Sequence, residues 1–238
     1  MPHLLRRSLT VALDATYSIG DALSGVGIYS REMLRGLPAA HPKIRFDFCY
    51  RPHRYFRSWG AALPPNARRR LLPPPLGFRS AALFHGLNQR LPAIPLRRAV
   101  ATFHDLFVLT GEYSTPEFRD RFAAQARNAA ARADLVIAVS EFTRNQVVSL
   151  LGVPASKVRV VHHGVRELPL PAHQNPAARE PVILSVGAIQ KRKNIARLVA
   201  AFETLDPPWR LVRHWTRSAV TIAFSSLRRD IDSQPMMF

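Results

Sequence analysis

The chain of 238 residues is long for one domain and short for two, because a domain averages roughly 150 residues. Hydrophobic residues make up 47% and charged residues 21%, which excludes a disordered or fibrous chain. The formal net charge of +18 favours an anionic partner: a nucleic acid, a membrane surface or a phosphorylated ligand. One cysteine excludes an internal disulfide and a cysteine-based zinc site, so we expect a cytoplasmic protein.

The N-terminal part predicts strands that alternate with a helix and then give way to a basic loop. Ser8 to Asp14 predicts a strand, and Ile28 to Leu37 has helical spacing after a loop rich in glycine. Ile44 to Tyr50 alternates apolar with polar residues, which predicts a strand with one better buried face. Arg51 to Arg79 is rich in arginine and proline, and it predicts a loop.

The next part predicts four strands and two helices. Ala81 to His85 and Ala99 to His104 are short apolar runs that predict buried parallel strands, each ending in a histidine. Leu135 to Val139 and Val158 to Val161 predict two more strands. Helices capped by a threonine and a serine lie between them. The side chains predicted to pack inward from these helices are Phe118, Phe122, Ala126, Ala129, Ala133, Phe142, Val147, Leu150 and Leu151.

This alternation predicts an α/β fold in two parts. Residues 1–165 form a complete Rossmann-like domain with a doubly wound parallel sheet, and residues 166–181 form a proline-rich linker. Residues 182–212 begin a second Rossmann-like domain. Residues 213–238 form an atypical tail, because no glycine follows Gly187 and no glutamate follows Glu203. We interpret the tail as a sign of a truncated gene or a shifted reading frame.

Several motifs in a fixed order carry a family resemblance. They are SGVGIYSREMLRGL at Ser24 to Leu37, LFHGLNQRLP at Leu83 to Pro92, VATFHDLFVL, RADLVIAVSEFTRNQVVSLLGVPASKVRVVHHGV, and VILSVGAIQKRKNIARLVAAFETL. Over Leu9 to Val212 the chain resembles the GT-B-fold glycosyltransferases of the family 4 (group 1) type. The resemblance implies an acceptor domain followed by the start of a donor domain. It also implies transfer of a sugar from a nucleotide diphosphate to a glycan or lipid-linked acceptor, with retention and with no cofactor or metal.

The donor side is predicted at two loops. Gly25 and Gly27 precede a helix, where they form either an ordinary tight turn or a loop whose amides face an anion. Arg192 and Lys193 lie on a turn that opens a helix, where they form either a solvated basic turn or a diphosphate site. The resemblance favours binding of the donor phosphates by all four residues.

The acceptor side is predicted at the ends of two central strands. The resemblance implies catalytic roles for His104 and Asp105, with His104 bonding the sugar or its acceptor, and acceptor contacts for His85 and Asn88. The residues alone favour a structural histidine, since the chemistry of histidine needs partners. The adjacent pair His162 and His163 does not predict a metal site, because neighbours on an extended segment point to opposite faces.

Other functions stay open. Relatives of this type carry two late glutamates, separated by seven residues, that are absent after Glu203, so we expect this form to be weak or inactive as an enzyme. A non-catalytic module could bind an anionic membrane or polysaccharide through Arg51 to Arg98, at the inner face of the membrane. A nucleic-acid binder is a lesser alternative, because the basic residues are dispersed and form no known binding motif. A sugar-nucleotide epimerase is weaker still.

Overall fold

A computed structural model describes residues 9–73, 81–111, 113–165, 180–187, 190–215 and 220–224. The chain divides into two compact units, Met1–Val165 and Arg166–Phe238. Each unit has its own sheet.

The first unit is built on a sheet of seven parallel strands in the order β3-β2-β1-β4-β5-β6-β7. The strands are β1 (Thr10–Asp14), β2 (Arg45–Tyr50), β3 (Ala67–Leu71), β4 (Leu83–Gly86), β5 (Ala99–Phe103), β6 (Leu135–Ala138) and β7 (Val158–Val160). The helices are α1 (Gly25–Ala40), α2 (Pro52–Tyr55), α3 (Phe107–Thr110), α4 (Pro116–Arg132) and α5 (Glu141–Leu151). This order confirms the predicted doubly wound sheet. Its strand order reverses between β1 and β4, where ligands of such sheets bind at the carboxyl ends of the strands.

The largest core cluster packs α4 and α5 against β5 and β6. Alanines of α4, including Ala126 and Ala129, meet Phe103 of β5, while Val147 of α5 contributes a branched side chain. Small side chains let a helix approach a sheet closely, so the alanine stripe lets α4 pack closely on β5 and β6. A second cluster packs α1 over β1 and β2, with Leu34 among its buried residues.

Three of the predicted inward-facing side chains are exposed instead. Phe118, Phe142 and Leu150 are 45%, 71% and 41% exposed, so the predictions for them were wrong. Phe118 and Phe142 lie in the first turns of α4 and α5. A helix that follows a parallel strand begins at the carboxyl edge of the sheet, so its first turn lies at the rim and not over the core.

The basic segment after β2 is structured where a loop was predicted. It forms α2, a 3-10 turn at Phe56–Gly60 and the edge strand β3, while residues 74–80 lie outside the described part. Asp47 of β2, predicted on the more exposed face, is only 2% exposed. Arg68 and Arg70 of β3 pair with its carboxylate, with Nε to oxygen distances of 2.5 and 3.4 Å. An arginine-rich strand is therefore stable beside β2 because it neutralises a buried acid.

The second unit has three strands and one helix in its described part. They are β8 (Val182–Val186), α6 (Ile195–Phe202), β9 (Arg210–Trp215) and β10 (Val220–Phe224). β8 and β9 are parallel, whereas β9 and β10 are antiparallel. β9 begins within the predicted second domain and continues to Trp215, into the predicted tail. Of the predicted linker only residues 180–181 are described, and of the predicted tail only residues 213–215 and 220–224.

Candidate functional site

Three aromatic rings meet at the carboxyl edge of the first unit's sheet. His104 follows β5, His163 follows β7, and Tyr29 lies on α1. The ring centroids of Tyr29 and His104 are 4.8 Å apart in an edge-to-face arrangement, and those of His104 and His163 are 5.4 Å apart and stacked. Tyr29 and His163 close the triangle at 4.9 Å. We call these three residues the ring cluster.

His104 is held in one tautomer by the backbone. Its Nε2 lies 3.0 Å from the carbonyl oxygen of Leu87, and because a carbonyl only accepts, Nε2 carries the proton and donates. Burial lowers the pKa of His104, and His163 lowers it further, while the Leu87 carbonyl and Asp105 raise it. The net lowering favours a neutral ring at pH 7. Its Nδ1 therefore carries a lone pair that can accept a hydrogen bond from a hydroxyl group.

His85 lies in β4 and is only 6% exposed. Its Nε2 is 2.8 Å from the hydroxyl of Thr102 in β5, which in turn lies 3.4 Å from the Tyr29 hydroxyl. Burial, with a smaller effect of His104, lowers the pKa of His85 to about 4. The structure thus places His85 in a buried layer that is linked through Thr102 to the ring cluster.

Asn88, Asp105 and α5 complete this edge. Asn88 is 4% exposed, and its buried Oδ1 has no hydrogen-bond partner. A buried acceptor without a donor is costly, which makes this atom a candidate to receive a donor from a ligand. Asp105 is exposed directly beside His104. Thr143 of α5 donates from its hydroxyl to the His104 carbonyl at 3.3 Å, and the Ser140 hydroxyl caps α5 by accepting from the Thr143 amide.

The two glycines at the start of α1 serve different purposes. The Gly27 amide donates to the Ser24 hydroxyl at 3.3 Å, so a cap already uses it. A Cβ at Gly27 would lie 2.8 Å from the Tyr17 carbonyl oxygen, which is too close, so this position requires glycine for packing. A Cβ at Gly25 would meet no atom within 4 Å. Open space therefore lies beside Gly25, as an anion near the helix N-terminus requires.

The remaining predicted residues lie in the second unit. Arg192 and Lys193 belong to a 3-10 turn, Lys191–Lys193, that precedes α6, and all three side chains are exposed. The Lys193 amide donates to the Gln190 carbonyl at 2.8 Å. Asn194 follows in the left-handed conformation with φ of 46° and leads into α6. The backbone conformation of this turn therefore fixes the positions from which the three basic side chains extend.

Sequence reasoning missed several residues of this edge. Tyr29, Thr102 and Thr143 lie within the quoted motifs but were assigned no role, although Tyr29 follows Gly25 by one helical turn. His163 was weighed only as a metal ligand. Within the described ranges no three His, Cys, Asp or Glu side chains are grouped so as to hold a metal ion. In those same ranges no helix is long and apolar enough to cross a membrane.

A doubly wound parallel sheet with histidines at its carboxyl edge, followed by a second α/β unit, has the fold of the GT-B glycosyltransferases. The pattern of Glycosyltransferase Family 4 matches residues 23–167, and the chain belongs to that family. It is 29% identical over 141 residues to the O-antigen chain mannosyltransferase B of Escherichia coli. That match covers 54% of this chain and 36% of the relative.

Two solved structures show the same fold. Sucrose-phosphate synthase from Thermosynechococcus elongatus has a TM-score of 0.56 at 18% identity, and the match covers 86% of this chain and 62% of that one. The lipopolysaccharide outer core galactosyltransferase WaaB in its apo form has a TM-score of 0.53 at 14% identity, covering 87% and 60%. The chain therefore spans less than two thirds of the length of these relatives.

Proposed function

We propose that the chain takes part in the transfer of a sugar from a nucleotide diphosphate donor to a hydroxyl group of a glycan or lipid-linked acceptor. The transfer retains the anomeric configuration and uses neither a metal nor a further cofactor. In this proposal the first unit binds the acceptor and the second unit binds the diphosphate. The observation that carries the proposal is His104, a neutral ring at the carboxyl edge whose tautomer leaves Nδ1 as a hydrogen-bond acceptor.

On the acceptor side, His104 accepts a hydrogen bond from a sugar hydroxyl at Nδ1. The Leu87 carbonyl and the other two rings of the cluster fix the orientation of His104, so little freedom is lost when the sugar binds. Asp105 contacts the acceptor from its exposed position. His85 and Asn88 support the site from below, and the Asn88 Oδ1 offers a second acceptor to the ligand.

On the donor side, Arg192 and Lys193 of the turn before α6 bind the diphosphate. Negative charge develops on the leaving diphosphate as the sugar departs, and fixed cations stabilise that charge. Arg192 can form a forked pair with phosphate oxygens, whereas Lys193 acts as a point charge. Within the first unit, the open space at Gly25 beside the start of α1 suits a phosphate group in this proposal.

Replacing Lys193 by glutamine should weaken the binding of UDP or GDP to the purified chain by roughly tenfold, because a charged hydrogen bond to phosphate is lost. Isothermal titration calorimetry measures this. Lys191→Gln is the matched control, since Lys191 is exposed on the same turn, and its affinity should stay within about twofold of the unchanged chain. Equal weakening by both variants would show a diffuse charge effect and contradict the assignment.

Replacing His104 by alanine should lower sugar transfer roughly tenfold, since one oriented hydrogen bond to the acceptor is lost. The measurement is transfer from radiolabelled nucleotide sugars carrying mannose, galactose or glucose. His162→Ala, an exposed histidine at the same edge, is the control and should keep the transfer rate. Product formed without an acceptor would instead indicate epimerisation, and unchanged transfer by His104→Ala would contradict the role of His104.

We also propose that the first unit binds an anionic membrane surface, where lipid-linked acceptors reside. Phe56 and Trp59 are 80% and 66% exposed on the 3-10 turn after α2. Arg57 lies between them, and the Arg69 guanidinium lies 5.8 Å from the Trp59 ring. Exposed aromatic rings among arginines match the interface of an anionic bilayer, where rings enter the headgroup region and cations pair with phosphates.

Replacing both Phe56 and Trp59 by serine should reduce cosedimentation with anionic vesicles roughly tenfold, because apolar area is no longer buried in the interface. Vesicles of phosphatidylcholine with and without phosphatidylglycerol serve as the probe. Phe142→Ser removes an equally exposed phenylalanine from α5 and should leave cosedimentation unchanged. Binding that ignores either the double substitution or the anionic lipid content would exclude this surface.

A further inference from the structure

A cavity of about 300 Å³ lies at the carboxyl edge of the first unit, beside the middle of α4. It is lined by Arg51, Arg90, Leu91, Ala124, Gln125 and Asn128. Arg51 directly follows β2 and Arg90 lies in the loop after β4, so two different strands bring the arginines together. Among these lining residues the two arginines are the charged ones. We call this space the arginine cavity.

Neutral partners hold Arg90 in the wall of the cavity. Its Nε donates to Oε1 of Gln125 on α4 at 2.5 Å, and its Nη1 donates to the Tyr17 hydroxyl at 3.0 Å. These contacts fix the guanidinium plane without cancelling its charge. A guanidinium held in this way is preorganised for an anion, because little side-chain entropy remains to be lost.

Arg51 is incompletely satisfied. Its Nη2 lies 3.8 Å from Asp14 Oδ2, which is longer than a hydrogen bond, and its Nε is buried without a hydrogen-bond partner. Asp14 is 1% exposed, and burial raises its pKa although Arg51 and Arg90 both act to lower it. Arg51 is thus paired only loosely with Asp14. The surroundings of the cavity carry excess positive charge and a buried donor that lacks an acceptor.

We infer that the arginine cavity binds an oxyanion, either a carboxylate or a phosphate, that the sugar acceptor carries. This inference rests on the proposed function, because the cavity opens at the same sheet edge as His104. Planar guanidinium forks match carboxylate and phosphate oxygens and bind them with paired hydrogen bonds. The volume is at the lower end of the roughly 300–1000 Å³ of ligand pockets, which suits one sugar ring or one phosphate group. The acceptor would then be an acidic sugar or a phosphorylated one.

Calorimetric titration of the full chain without donor tests this inference. The probes are glucuronate, glucose 6-phosphate and glucose, which share a ring and differ in charge. We expect at least one anionic probe to bind roughly tenfold or more tightly than glucose. Preference for glucuronate indicates an acidic sugar acceptor, and preference for glucose 6-phosphate indicates a phosphorylated one.

Two substitutions locate the binding. Arg51→Gln and Arg90→Gln should each weaken the preferred anion roughly tenfold and leave glucose unaffected. Arg90→Gln decides the matter if Arg51→Gln fails to fold, because the partners of Arg90 are uncharged. Arg35→Gln removes an exposed arginine from α1, and it should keep the affinity within about twofold.

Equal affinity for all three probes, or anion binding that survives Arg90→Gln, would overturn the inference. These titrations use no nucleotide sugar, so they separate the cavity from the proposed transfer. Anion binding through Arg90 together with failure in every transfer assay would support the arginine cavity and contradict the proposed function. Sugar transfer together with no preference for an anionic probe would support the proposed function and contradict the inference about the arginine cavity.

Discussion

Replacing Gly86 by alanine is expected to lower the free energy of unfolding by about 3 kcal/mol, because a Cβ at this position would clash with neighbouring backbone atoms. It would overlap the carbonyl oxygen of Arg90 and lie 3.3 Å from the carbonyl oxygen of Asn88. Both obstacles are backbone atoms of the loop that follows β4, so relief requires the loop to move and not a side chain to rotate. The same loop supplies the Leu87 carbonyl that holds His104.

Urea unfolding followed by circular dichroism measures this loss. Gly36→Ala is the matched control, because Gly36 lies inside α1 and a Cβ there meets no atom within 4 Å. Alanine favours the helix over glycine, so this control should gain about 0.5–1 kcal/mol. The same substitution should therefore change stability in opposite directions at the two positions. Similar small changes at both would mean that the loop after β4 is not packed as described.

Most of the fold of the first unit was predictable because local patterns and tertiary packing agree there. Short apolar runs separated by capped helices predict a parallel sheet without knowledge of the individual side-chain contacts. One exception is β3, whose sequence of three arginines has no strand pattern. It exists because Asp47 on the neighbouring strand is buried and needs cations. The ion pairs with Asp47 form only in the folded sheet, so the tertiary structure stabilises a strand where the local sequence predicts a loop. The spacing of residues along the sequence does not show which acid will pair with these arginines.

The candidate site was predictable in part, where apolar runs of the sequence end. Apolar runs end at His85 and His104, which placed both at one edge of a parallel sheet, and the family resemblance supplied their roles. Tyr29 and Thr102 reach the same place from a helix and from within a strand, and nothing local distinguishes them from core residues. Which neutral or charged groups surround a histidine depends on such contacts, so its protonation could not be predicted from the sequence.

The buried His85 should make the stability of the protein depend on pH. Its pKa is about 4 in the folded chain against an ordinary value of 6.5. Between these values the unfolded chain binds a proton at His85 that the folded chain does not, so the free energy of unfolding falls as pH falls through this range. The stabilisation is fully present above pH 6.5. From His85 alone, we expect a loss of about 2 kcal/mol by pH 5, since each pKa unit corresponds to about 1.4 kcal/mol.

The difference between the unchanged chain and His85→Asn isolates this contribution. Urea unfolding between about pH 7.5 and pH 5 should give a steeper decline for the unchanged chain, whatever stability the variant loses along with its bond to Thr102. Shifted pKa values elsewhere, such as those of Asp14 and His104, are present in both proteins and largely cancel in the difference. His53→Asn removes an exposed histidine and should retain the full decline. Parallel pH profiles for the unchanged chain and His85→Asn would show that His85 is not buried as a neutral ring. They would contradict the buried layer in which His85 is linked through Thr102 to the ring cluster.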